Sequence, residues 1–534
     1  MLEKLRKSPN FFYITGILLL IPALLINLGK LNIFFAVDEA TRALVALEMM
    51  ISDNYITPTI NGEFYYNKPP LFSWILVVFF KTFGFSEFVL RLPTVISIIG
   101  FGLTVYWFVS RELGKQAGIL TAFLLVTSGR LLYWESWLGY IDTTFSWVSY
   151  SGIMFIVFYF RQKKYLSLFL LSYLMMTFGF LLKGLPSIAF QAISLLVVFI
   201  SEKQFKQLFT WKHLAGIMVF IGITGTYYLI YHQYNSLENV INTLIDQSAK
   251  RTVVQQGISQ TLKHLFLFPF EMLYHYLPWT ILLAFTFTGR FREILSQNKF
   301  LKLNLLLVIF NIIPYWTSPD VYPKYIMMLV PMILAPSLYF YLKNKAENKK
   351  GSKILEFVLL CLASLLTLSF LFFPFVPDFS KVPMVFSKSI LLLMLGLVFT
   401  FFYWKIKSQR LMLFVIILLI GRMALGFFIW PQRGVDYENY EKHAIETARI
   451  TKDDSVYYYH AEMTQYGASY VMTREKWDII RIEKDTPKPG VFYITDDAGL
   501  EIIGQNHRDI KVFYTYPNAQ DGRNLNLIKI IDDD

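Results

Sequence analysis

The chain has 534 residues, 55% of them hydrophobic and 18% aromatic but only 16% charged, with a mean hydropathy of +0.45. That balance excludes a soluble enzyme of this length and marks an integral membrane protein. The formal net charge of +12 is not a nucleic-acid signal, because the cations cluster in short loops between apolar runs.

The first apolar run, 11–28, follows Lys4, Arg6 and Lys7. No small-residue cleavage site comes after it, so it reads as a retained first helix and not as a signal peptide. Then comes VDEATR (37–42), where a helix over 38–50 puts Asp38 and Arg42 on one face at a spacing of four. In NGEFYYNKPPL (61–71), Lys68 precedes two prolines, which fix the backbone and stop a helix from running through. The run LFSWILVVFFKTFGF (71–85) is short and carries Lys81 near its end, and is predicted to lie in the interface without crossing.

Longer apolar runs predict about thirteen membrane-spanning helices in all, near 10–29, 88–110, 116–132, 141–160, 165–182, 184–200, 214–233, 276–290, 301–316, 324–342, 354–376, 386–404 and 411–430. The loops 1–7, 111–115, 161–164, 201–213, 290–302, 343–353 and 405–410 are basic, which makes them cytoplasmic. Treating 71–85 as a span would invert everything downstream and put RQKK (161–164) and KNKAENKK (343–350) on the wrong face. Beyond Trp430 the chain turns polar, with an amphipathic helical pattern over 436–450. Four strand-like runs follow, SVYYYHA, GVFYITD, IKVFYTY and LNLIKII. The expected organisation is an all-α polytopic membrane domain, 1–430, with an outer loop at 31–87, followed by a small soluble α/β domain, 431–534. An odd number of spans puts that domain on the extracytoplasmic side. The single Cys361 lies in an apolar run, so no disulfide forms within the chain.

Ionisable residues at the edge of an apolar layer are costly and therefore functional candidates. On this topology they collect on the outer face. Asp38, Glu39, Arg42 and Lys68 lie in the first outer loop, Glu135 and Asp142 at the mouth of the fourth span, and Lys183 at the end of the fifth. The long stretch 234–275 carries Asp246, Lys250, Arg251, His264, Glu271 and His275, and SPDVYPKY adds Asp320, Lys324 and Tyr325. Acids beside fixed cations, open to both water and lipid, suit a reaction in which an anionic lipid supplies the leaving group. The cations would hold a phosphate as negative charge grows on it, and a carboxylate would orient the attacking group or take its proton. A transporter or flippase of an anionic polyprenyl-linked lipid is the alternative; it would place its charges nearer the midplane. Walker, GxGxxG and Ser-His-Asp patterns are absent from the sequence, which removes direct nucleotide use.

The DE…R motif after the first helix, YYNKPPL, an interfacial helix, an Asp opening the fourth span, KG after the fifth and the Lys-Tyr pair before a late span together resemble the GT-C glycosyltransferases. Within these they are most similar to the bacterial lipid A aminoarabinose transferases and the protein O-mannosyltransferase-like enzymes. The resemblance implies a polyprenyl-phosphate-linked sugar donor, an acceptor that is a lipid such as lipid A, a glycan or a protein, inversion at the anomeric centre, and an active site on the outer face of the cytoplasmic membrane. It makes Asp38 the principal catalytic carboxylate, with Glu39 beside it and Asp142 as a second acid. Arg42, Lys68, Lys183, Lys324 and Tyr325 would line the donor's phosphate site. The arginine stands one residue further on than in D-E-x-R. Asn67 stands where the aminoarabinose transferases often carry an acid that helps hold a metal. The use of a divalent metal is left open, since the sequence offers no clear ligand set for one, and no other cofactor is assigned.

Overall fold

The computed structural model describes residues 9–249, 257–287, 295–460, 465–507, 509–519 and 521–531. The basic segment 1–7, Lys250, Arg251 and Arg290 lie outside them. Among the described residues nine helices are long and apolar enough to cross a membrane; Lys115–Val126 and Gly129–Trp137, bent by 47°, make a tenth if they form one span. Asn10–Leu25, Leu71–Phe83 and Pro186–Ser201 are shorter apolar helices. The protein is a multi-pass, helical membrane protein with a small α/β fold at its C-terminal end.

Two compact units are present. The first takes in Met1–Leu28, Thr94–Tyr228 and Ile241–Ile429. Its helices sort by the company they keep. Apart from Arg410 and Arg422, Arg410–Ala424 is apolar all round, and nearly every side chain in it is buried, as a central helix must be. Trp211–His232 is mostly unburied within the protein and so presents its apolar surface to lipid. Ile141–Arg161 and Tyr165–Lys183 pack side by side, joined by the short basic turn at 162–164.

The second unit comprises Gly29–Pro93, Leu229–Val240 and Trp430–Asp534. Its five-stranded sheet runs β4-β3-β5-β7-β6, built from β3 (Val456–Tyr459), β4 (Arg481–Glu483), β5 (Phe492–Asp496), β6 (Ile510–Pro517) and β7 (Asn524–Ile530). The first three strands are parallel, while β7 pairs antiparallel with both β5 and β6. Every residue of the central β5 is buried, and Tyr493, Ile503, Ile528 and Ile530 form a core against it. Helix Tyr466–Lys476 packs on one side against Glu438–Ile450 and on the other against Val37–Ile51, the helix that begins with VDEATR.

The bracket between that loop and the C-terminal fold is a hairpin, β1 (Thr59–Ile60) to β2 (Glu63–Phe64). Asn61 and Gly62 both take left-handed φ values, 52° and 74°, the Asn-Gly choice that a two-residue turn of this hand requires. Glu48, fully buried, receives the turn. Its carboxylate accepts from the Asn61 amide at 2.6 Å, the Gly62 amide at 3.2 Å and the Thr59 hydroxyl at 2.7 Å. The Asn61 side chain then donates to Ser469 Oγ at 3.0 Å and to the Ile480 carbonyl at 2.9 Å.

Three expectations change. The segment expected as one helix over 276–290 is instead a 3-10 turn, Trp279–Leu282, followed by the short helix Leu283–Thr286; Pro278 supplies no amide donor and restricts the residue before it. Residues 288–290 lie outside the described residues. The stretch expected as a long loop, 234–275, contains helices Leu237–Ala249 and Ile258–His275. Strand β4 was not anticipated, being three residues long and edge-placed.

Removing the buried Glu48 carboxylate in Glu48→Ala strands three donors and should cost roughly 2–4 kcal/mol; limited proteolysis of the full chain will report it as faster cleavage in the C-terminal fold. A pH effect is also expected. Burial lowers the His443 pKa from its usual value, so the unfolded chain binds the proton more readily, and this contribution to stability is present at neutral pH and lost as pH falls through the folded-state pKa. Thermal melts at pH 7 and 5 should show a smaller drop for His443→Gln than for the wild type.

Candidate functional site

In the membrane unit, three helix ends deliver charged groups to one place. Asp142 opens Ile141–Arg161, Lys183 closes Tyr165–Lys183, and Lys324 lies in the 3-10 turn Pro323–Leu329 that begins another span. Because these helices run in alternate directions, an N-terminal acid and a C-terminal lysine meet at the same level. Asp142 Oδ1 accepts from Lys183 Nζ, and Asp142 Oδ2 lies 3.5 Å from Lys324 Nζ. All three side chains are nearly buried. Aromatic faces complete the setting, with Lys183 Nζ 3.9 Å from the Tyr325 ring centroid and Lys324 Nζ 4.3 Å from that of Tyr140. Such faces favour cations electrostatically. Beside them Glu135, wholly buried, accepts from Arg130 Nε at 2.7 Å.

The second unit holds the rest of the expected set. Helix Val37–Ile51 starts with Asp38 and Glu39 in its first turn, where the helix dipole favours negative charge. Asp38 is exposed and Glu39 fully buried. Glu39 forms a two-pronged pair with Arg91, Nε to Oε1 and Nη2 to Oε2, each at 2.8 Å with neither side chain exposed. Arg42 is buried one turn after Asp38, donates to Tyr65 Oη at 2.7 Å and sits over that ring. Burial pushes the Tyr65 hydroxyl pKa up, against the pull of the Arg42 charge, so it is a neutral partner. Tyr66 accepts from Asn235 Nδ2 at 3.0 Å. The two tyrosines of YYNKPPL are thus pinned on separate partners, and half-buried Lys68 follows after Asn67, with Pro70 capping helix Leu71–Phe83. Among the described residues, no three His, Cys, Asp or Glu side chains gather in a way that would hold a metal ion.

Asp142, Lys183, Lys324 and Tyr325 therefore stand together in one unit, and Asp38, Glu39, Arg42 and Lys68 belong to the other. Arg91 and Tyr140 were not foreseen. Arg91 interrupts an apolar run near the start of a span, which is a signal in itself, but 52 residues separate it from Glu39 and no spacing rule joins them.

Residues 67–228 match the model of the dolichyl-phosphate-mannose-protein mannosyltransferase family. The whole chain superposes on the crystal structure of ArnT from Cupriavidus metallidurans bound to undecaprenyl phosphate with a TM-score of 0.66, covering 96% of this chain and 97% of that one at 16% identity. The chain has the GT-C fold seen in ArnT. A protein of Aquifex aeolicus called only uncharacterised is 25% identical over 372 residues, 68% of this chain and 72% of its own length. The undecaprenyl phosphate-alpha-4-amino-4-deoxy-L-arabinose arabinosyl transferase of Edwardsiella ictaluri is 25% identical over 184 residues, and that match spans 33% of each chain. The family-model match runs through the segment that carries Lys68, Asp142 and Lys183.

Asp142 is the electrostatic hub of its cluster. Asp142→Ala takes from two nearly buried ammonium groups the carboxylate that pairs with them, and breaking such a buried pair should cost about 3–5 kcal/mol. Lys324→Met keeps the Asp142–Lys183 pair and should cost less than half as much. Melting temperatures of the detergent-solubilised variants will rank them.

Proposed function

We propose that the protein is a membrane glycosyltransferase that moves a sugar from a polyprenyl phosphate to an acceptor on the extracytoplasmic side of the cytoplasmic membrane. The observation that carries the proposal is the cluster of Asp142, Lys183 and Lys324 on a GT-C fold: two lysines fixed at the membrane edge by one carboxylate. Lys183 and Lys324, with Lys68, Arg42 and Tyr325, are assigned to the donor's phosphate. The bond between the anomeric carbon and the phosphate oxygen breaks with its electron pair going to the phosphate, and fixed cations stabilise the charge that collects there. Asp142 holds two of those cations in place before the donor arrives. Their positions then need no reorganisation during the reaction.

Asp38, exposed at a helix start, is assigned to the acceptor. For a hydroxyl acceptor it takes the proton as the oxygen bonds to the anomeric carbon from the side opposite the phosphate, inverting the centre. For an acceptor that is already anionic, such as a lipid phosphate, it orients the nucleophile. Glu39 is committed to Arg91, so its part in this reading is to hold the start of the helix and with it Asp38. Sugar identity and the choice among lipid, glycan and protein acceptors follow from pocket contacts with the bound substrates.

The test supplies purified protein with polyprenyl-phosphate sugars and a membrane extract as acceptor source. Asp38→Asn should slow transfer by about 10²–10⁴-fold, the usual contribution of a general base, and Lys68→Ala should weaken donor binding. Wild-type rates in Asp38→Asn would sink the catalytic assignment. Donor crossing a bilayer without transfer to any acceptor would favour the flippase.

A further inference from the structure

The membrane unit has a cavity at the ends of its helices opposite Asp142 and Lys183. It encloses about 260 Å³ and is lined by Arg161, Lys163, Tyr165, Glu202, Gln204 and Lys299. These residues come from the turn that joins Ile141–Arg161 to Tyr165–Lys183, from the connection after Pro186–Ser201, and from the start of Lys299–Trp316. Three cations face one acid. Lys299 Nζ pairs with Glu202 at 3.0 Å, and Arg161 pairs with Glu112 outside the cavity lining. Lys163 makes no ion pair among the described residues and is held at a left-handed φ of 58°, where asparagine or glycine would cost less.

Two helices begin at this cavity, Tyr165–Lys183 and Lys299–Trp316, and neither carries an acid in its first turn. Two others, Ile141–Arg161 and Pro186–Ser201, end there, so the helix dipoles offset one another and the excess of positive charge is that of the side chains. The depth of the cavity follows from its neighbours. The connection that supplies Glu202 and Gln204 continues into a 3-10 turn, Phe205–Phe209, and Phe205, Phe209 and Trp211 are 44%, 78% and 65% exposed. Large aromatic side chains left bare at a span end belong at the headgroup level of a bilayer. Leu303 and Phe160 give the cavity an apolar side.

We propose that this cavity binds the phosphate of an anionic glycerophospholipid, with the acyl chains lying along the adjoining apolar helices. Basic pockets between membrane helices suit such headgroups, and the aromatic collar sets a lipid, in preference to a soluble anion, at its mouth. The site is separate from the residues assigned to sugar transfer and does not depend on that assignment.

Thermal unfolding of delipidated full-length protein in detergent, titrated with phosphatidylglycerol, phosphatidylcholine or inorganic phosphate, tests it. Phosphatidylglycerol should stabilise the wild type saturably, phosphatidylcholine should do so far less, and the midpoint for phosphatidylglycerol should rise about tenfold or more in Lys163→Asn/Lys299→Gln. Asparagine suits the left-handed turn and both positions are at the surface, so the variant's melting temperature without lipid should match the wild type. Lys350→Gln, in another basic loop, should titrate like the wild type. An unchanged midpoint in the double variant, or an equal loss in Lys350→Gln, overturns the proposal by reducing the effect to general surface charge. Equal stabilisation by phosphatidylcholine removes the preference for anions, and an equal response to inorganic phosphate makes the occupant a soluble anion.

Discussion

A charge at the edge of a bilayer has to be answered by another charge, and the structure is organised around that constraint. An unpaired ion withdrawn from water costs several kcal/mol even after relaxation, and several of the buried acids are placed where a cation from another segment can reach them. Glu39 ties the VDEATR helix to Arg91. Asp142 gathers the ends of three helices through Lys183 and Lys324. At the opposite end of the membrane unit Glu356 does the same with Lys345 at 2.6 Å and Arg410 at 2.5 Å, helped by the Tyr341 hydroxyl. Such pairs add little net stability over apolar replacements, whereas removing one partner alone is strongly destabilising.

The two kinds of cluster differ in what they leave available. Around Glu356 two basic groups and a hydroxyl converge on a single carboxylate, as a structural tie does. Around Asp142 the lysines also lie against the rings of Tyr325 and Tyr140, and a lysine is a point charge with three rotatable donors that it can share with a second anion. A phosphate entering there would meet cations already ordered by Asp142, so little side-chain freedom would be lost on binding. Arg42 is a different case. Its guanidinium is buried against neutral Tyr65, which leaves its charge undiminished by any partner acid in that contact.

That Asp142, Lys183 and Lys324 would meet was legible in the sequence because antiparallel neighbouring helices bring the start of one to the level of the end of the next. The helix at 37–51 and most of the C-terminal strands were legible from local pattern. What could not be read were partnerships across long separations, such as Glu39 with Arg91 and Asn61 with Ser469, since nothing in periodicity connects them. The failed helix at 276–290 shows the other limit. Hydrophobicity there is right for a span, but Pro278 decides the backbone. Arg42, displaced by one residue from the D-E-x-R pattern, nonetheless lies one helical turn after Asp38, because a spacing of four keeps it on the same face.

NGEF, which from sequence alone belongs with the outer loop and nothing more, has a structural role that changes how the C-terminal fold is understood. Glu48 stands on the helix that begins with Asp38 and Glu39, grips the Asn61-Gly62 turn, and Asn61 in turn holds Ser469 and the Ile480 carbonyl. Gly62 lies so close to Arg481 that an added Cβ would come within 3.0 Å of its side chain. Helix Tyr466–Lys476 packs directly on the VDEATR helix. The sheet therefore braces, through a short chain of buried polar contacts, the element that presents Asp38. Glu39 to Met49 of that helix are all buried, so the packing behind it fixes the helix start from which exposed Asp38 projects.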